Sequence, residues 1–217
     1  NAATIKGSWA TGFKSARNVE GEFTLADAKT KVKVNFMQQQ LSVVTFDVTD
    51  GTALAMPLDG GAFALYILPK DGKTLDDVIK GLTAIAIRDA ADKAATGAKK
   101  ETAIAIPKFR CESTLDLKKT ATALGIKKAF DASASPSDLS FEELTPSDIF
   151  VAAWTQKTTH SWDEGGFEGT AIETVVTGTR SVGPAAEVTF KADRPFVFVV
   201  LEKGLIIDLV RVNNPKK

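Results

Sequence analysis

Histidine, cysteine and clustered carboxylates do most side-chain chemistry, and this chain uses them sparingly. It has one histidine, His160, and one cysteine, Cys111. His160 falls within Ile149 to Asp163, a stretch that reads as one long strand. The sequence gives it no evident nucleophile partner, so it reads as a strand-face histidine and not as a general base. Cys111 has no second cysteine with which to form an internal disulfide. The acidic residues are dispersed, and no CxxC, HExxH, Walker or GxGxxG motif occurs. On these residues the chain is expected to be no enzyme and to hold neither metal nor cofactor.

The elements that would position any site must come from 217 residues that are 44% apolar. A chain of that length buries roughly 70% of the surface its unfolded form exposes, enough for a sizeable core. Lys and Arg together number 27, as do Asp and Glu. That balance argues against nucleic acid or an anionic membrane as partner. No apolar run approaches the roughly 18 residues that span a bilayer, so the chain is expected to be soluble. It opens on Asn1 without a start Met or signal peptide, and so reads as a processed or partial chain whose opening says nothing about secretion.

Gly21 to Ala26 and Val32 to Met37 alternate polar and apolar residues and read as paired strands. Leu41 to Val48, Thr52 to Leu58 and Ala62 to Leu68 follow. Asp50-Gly51 and Asp59-Gly60-Gly61 punctuate them, a strong hairpin signal. Helical spacing then appears in Thr74 to Leu82, with Asp76 and Asp77 early, and again in an Ala-rich stretch from Thr83 to Ala98. Thr102 to Ile106 is a strand, Leu117 to Asp131 a helix, and Ser133 to Glu143 a polar connector. Pro195 to Leu201 is apolar throughout, as in a strand buried on both faces. Between the two C-terminal strands, residues 164–187 are rich in Gly, Thr, Ala and Glu. A loop of about two dozen residues pinned between structured segments reads as functional.

Several of these segments carry a resemblance. FKADRPFVFVV (Phe190 to Val200) matches the serpin signature, and DEGGFEG (Asp163 to Gly169) is similar to the hinge that begins a serpin reactive-centre loop. NAATIKGSW (Asn1 to Trp9), LYILPKDG (Leu65 to Gly72), Pro107-Lys108-Phe109 and LKKTATALGIKKAFD (Leu117 to Asp131) follow the family in collinear order. The resemblance implies an α+β serpin fold, mostly antiparallel sheets with a few helices. It also implies one partial domain, 1–217, lacking the N-terminal helices and part of the large sheet. An exposed sheet edge would then await the missing N-terminal part of the same protein and would favour loop–sheet self-association. By motif match, Asn1 and Gln156 take places in the family's shutter and Trp9 in its breach. Gln156 stands where many members have His. In the last strand Asp208 replaces an apolar residue, and a lone buried carboxylate is costly, which places Asp208 at a strand end.

The resemblance further implies a suicide-substrate inhibitor of serine proteases, acting outside the cell. The protease acylates itself on the loop, and the cut loop inserts into the large sheet as a new strand. The implied hinge comprises Glu164, Gly166, Phe167, Glu168 and Gly169. Counting without gaps from Glu164 puts the scissile bond at Arg180-Ser181, which implies trypsin-like targets. A three-residue shift, with Gly169-Thr170 as the hinge pair, puts it at Gly183-Pro184 instead. Phe167 departs from the inhibitory hinge pattern, and the ungapped register points Glu173 into the sheet. A non-inhibitory member, a carrier or chaperone-like binding protein, is therefore the alternative.

Overall fold

The computed structural model describes residues 7–131, 150–167 and 189–216. It opens with two short strands, β1 (Gly7–Ser8) and β2 (Val19–Thr24), and continues into a single strand of 18 residues, β3 (Lys31–Val48). Sequence reading expects two strands within Val32 to Val48, yet the backbone stays extended throughout. The reason is that its two halves serve different neighbours. Residues up to Phe36 pair with β2, Phe36 to Val43 with β6 (Lys100–Pro107), and Val44 to Val48 with β4 (Gly51–Pro57). The β3–β4 hairpin turns at Thr49 and Asp50, with Asp50 left-handed at φ 57°. Asp tolerates that conformation better than most side chains.

From there β5 (Phe63–Pro69) completes the expected meander, and two helices follow. Helix α1 (Leu75–Gly81) begins with a capping box. Thr74 accepts from the backbone N–H of Asp77, whose carboxylate in turn accepts from that of Thr74. Helix α2 (Ala84–Thr96) is capped by the Thr83 side chain. Each cap satisfies backbone donors that the first helical turn would leave unpaired. The sheet finishes with β10 (Phe190–Lys191), β11 (Phe196–Glu202) and β12 (Leu205–Val212), in the order β10-β6-β3-β4-β5-β11-β12 with β2 attached to β3.

The apolar run from Phe196 is explained by what lies on each face of β11. Phe196, Phe198 and Val200 enter an aromatic core with Trp9, Phe23, Phe36, Tyr66 and Trp162. Val197, Val199 and Leu201 alternate to the opposite face and pack with Leu75, Val78, Ala90 and Ala94 of the two helices. Both faces are buried, so neither tolerates polar residues. Burying each such side chain stabilises the fold by about 1.5–3 kcal/mol.

A second sheet has the order β1-β9-β8-β7, formed with β7 (Phe109–Asp116), β8 (Thr155–Asp163) and the two-residue β9 (Gly166–Phe167). The chain divides into a larger unit, Thr4–Cys111 with His160–Lys217, and a smaller one built on Glu112–Thr159. Within the smaller unit, Asp116 caps helix α3 (Leu117–Ala123), and Gly125 at φ 98° follows its end. The helix is therefore much shorter than the stretch to Asp131 predicts, because a left-handed glycine terminates it. Strand β8 likewise starts at Thr155, not Ile149, and residues 151–154 are not in a strand. The backbone oxygen of Trp154 there accepts from the N–H groups of Leu117 and Lys118. The connector Ser133 to Glu143 lies outside the described residues.

Candidate functional site

Strand β8 ends in a tight hairpin. Trp162 lies opposite Phe167 and Asp163 opposite Gly166, while the Asp163 carboxylate accepts from the backbone N–H of Gly165 at 2.8 Å in the turn. The returning strand β9 pairs on its other side with β1, Phe167 opposite Gly7 and Gly166 opposite Ser8. Gly166–Phe167 is thus already a strand between β1 and β8, antiparallel to both. Only glycine fits at the centre of this seam. Gly166 sits at φ 124°, and a Cβ there would lie 2.2 Å from the Gly7 carbonyl oxygen.

Trp9 follows β1 directly and closes the end of the seam. Its indole N–H donates to the Asp163 carbonyl oxygen at 2.8 Å, and its backbone N–H donates to that of Gly165 at 3.3 Å. The Trp9 ring is buried against Trp162 at 5.0 Å between centroids, and Trp162 lies 4.4 Å from Phe198. The hairpin therefore rests on the aromatic core through two indoles.

Glu164, at the hairpin turn, is held from two directions. Its Oε1 accepts from Asn18 Nδ2 at 2.5 Å and lies 2.5 Å from Lys108 Nζ. Partial burial pushes the Glu164 carboxyl up, but Lys108 and Asn18 outweigh it and hold the group below its ordinary range. Lys108 is the middle residue of Pro107-Lys108-Phe109, so the motif was visible but not its role. Nothing in the sequence signals Asn18.

A second polar contact sits further back along β8. His160 Nδ1 lies 3.0 Å from Asp208 Oδ2, with both side chains largely buried. Asp208 is inside β12 and not at a strand end as the sequence suggests, because His160 satisfies the carboxylate that would otherwise be costly there. Cys111 is half-buried nearby. Burial, and then the charge of Asp208, push its thiol up to about 11.

The remaining predicted residues fall elsewhere. Gln156 is exposed near the start of β8. Asn1, Glu168, Gly169, Arg180, Ser181, Gly183 and Pro184 lie outside the described residues, and so does the face on which Glu173 falls. Among the described residues, no group of three or more His, Cys, Asp or Glu side chains is placed to hold a metal ion.

A strand of 18 residues in the larger sheet, a signature strand buried on both faces and a two-residue strand paired on both sides define a known architecture. The chain matches the serpin (serine protease inhibitor) family over residues 1–215, and it belongs to that family. It is 30% identical to serine protease inhibitor A3L of Rattus norvegicus, covering 100% of this chain and 51% of that protein. It is 28% identical to intracellular coagulation inhibitor 1 of Tachypleus tridentatus, covering 99% and 51%. Among solved structures, human thyroxine-binding globulin superposes with a TM-score of 0.79 at 25% identity, covering 98% of this chain and 54% of that one. The chain spans about half the length of the curated relatives it matches. Its fold is the C-terminal portion of a serpin, mostly antiparallel with few helices.

Proposed function

We propose that the chain belongs to a serpin-type inhibitor that acts as a suicide substrate, and that residues 164–187 are its reactive-centre loop. The observation that supports this best is β9. The first residues after the turn already pair with β1 and β8. A cut loop continuing from Phe167 in the same direction would extend that strand and gain a main-chain ladder on both sides. Glu164, Gly166, Phe167, Glu168 and Gly169 form the hinge in this reading, and Arg180-Ser181 is the bond presented to a trypsin-like serine protease. Asn1 and Gln156 belong to the region that parts to admit the strand. The protein acts outside the cell, and its N-terminal part completes the sheet.

Incubating the full-length protein with trypsin tests this reading. A denaturant-resistant covalent complex with cleavage after Arg180 is the expected result. Cleavage after Gly183 would favour the shifted register. Simple proteolysis without a complex would overturn the inhibitory reading.

The carrier or chaperone-like reading has its own support. Phe167 occupies a position where inhibitory members carry a small residue, and thyroxine-binding globulin, solved with thyroxine, is among the similar structures. Under that reading the loop is cut without trapping the protease.

A further inference from the structure

We propose that His160 and Asp208 form a latch that holds β8 against β12 and thereby sets how often the β1–β9–β8 seam opens. The seam itself is slight. Strand β9 contributes only two register pairs to β1 and two to β8. Its persistence therefore depends on β8 staying in place. Side chains two apart along a strand share a face, so His160 lies on the face of Trp162, the residue opposite Phe167 in the hairpin.

The other half of the latch is firmly mounted. Asp208 lies in β12, which pairs along its length with β11, and Arg211 of the same strand donates to the Asp76 carboxylate in α1. His160 thus ties the strand on which the slight β9 seam depends to one fixed by β11 and α1. The chemistry of the pair suits that purpose. The two side chains retain only 13% and 10% of their exposure, and their nitrogen and oxygen are 3.0 Å apart. A buried polar pair contributes little compared with a well-packed apolar pair, but it is directional, and separating its members leaves buried polar groups unsatisfied. An apolar contact would slide; this one is made or broken. The inference goes beyond the proposed function and holds for an inhibitor and for a carrier alike.

Hydrogen exchange on the full-length protein tests the proposal. In a His160→Leu/Asp208→Leu variant, the Trp162, Asp163, Gly166 and Phe167 amides should exchange about tenfold faster than in the parent. Exchange in β3, β4 and β5, and the denaturation midpoint, should stay near parental. His160→Gln retains an amide donor for Asp208 and should bring the seam back toward parental rates, whereas His160→Leu alone should not. Seam exchange within twofold of the parent in the double variant overturns the proposal. Should that variant not fold, equal seam rates in His160→Gln and His160→Leu overturn it instead.

Discussion

Glu164 and Lys108 meet at 2.5 Å across the base of the hairpin, with Asn18 donating to the same carboxylate oxygen. One side chain thus joins the β8–β9 turn to the junction of β6 with β7 and to the residue before β2. Replacing Glu164 with Gln leaves Lys108 facing an amide in a partly buried site. The expected cost is about 1–2 kcal/mol, reduced from a fully buried pair because Lys108 is partly solvated. Chemical denaturation of parent and variant measures it, and Lys108→Met/Glu164→Gln should recover part of the loss.

The same carboxylate sets a pH dependence. Its folded-state value lies below the ordinary 4.5, so the unfolded chain binds the proton more readily. Its contribution is fully present above about pH 4.5 and is lost as the pH falls through the lowered value. The stability difference between parent and Glu164→Gln should therefore be flat from pH 7 to about pH 5 and close below it. A difference that grew on acidification would contradict this assignment.

Gly166→Ala should detach β9 from β1. The φ of 124° and the 2.2 Å approach to the Gly7 oxygen leave no room for a methyl group without backbone movement. A penalty of about 1–3 kcal/mol, with loss of amide protection at Phe167, is the expected outcome. Gly12→Ala is the control. Its Cβ would sit 3.3 Å from the Glu164 carbonyl oxygen, a contact that a small shift relieves.

Tyr66 offers a gain. Its ring is fully buried among Trp9, Phe196 and Phe198, and its hydroxyl has no hydrogen-bond partner among the described residues. Burial accordingly pushes its ionisation well up. Tyr66→Phe removes an unsatisfied buried group and should raise stability by about 1 kcal/mol. A loss of that size in thermal denaturation would reveal a partner for the hydroxyl.

Cys111 should resist thiol reagents. With its value near 11, its thiolate population at pH 8 is about a hundredfold below that of an ordinary thiol. Asp208→Asn removes one cause of the shift and should speed modification by a disulfide reagent in the native state. Equal rates would mean that burial alone controls the thiol.

The strands and helices were largely legible because each obeys a local rule. Thr74 and Asp77 form a cap from adjacent residues, and the alternation in β11 reports burial on both faces. Pairings between distant residues were not legible. Nothing near His160 names Asp208, 48 positions away, and the carboxylate alone argued for a strand end. Lys108 belongs to one recognisable motif and its partner Glu164 to another. Local pattern identified each half of these contacts, but only the tertiary fold brings the halves together. The end of α3 shows the complementary failure, where a run of good helix formers outlasts the point at which Gly125 turns the chain.

Strand β3 has a mechanical consequence. Eighteen extended residues span roughly 60 Å, and the same backbone supplies one ladder to β2, a second to β6 and a third to β4. Lys31 and Val48 are therefore joined by one continuous strand with no turn between them. The two halves of the sheet share one beam, so fraying at either end should register at the other as a change in strand tilt.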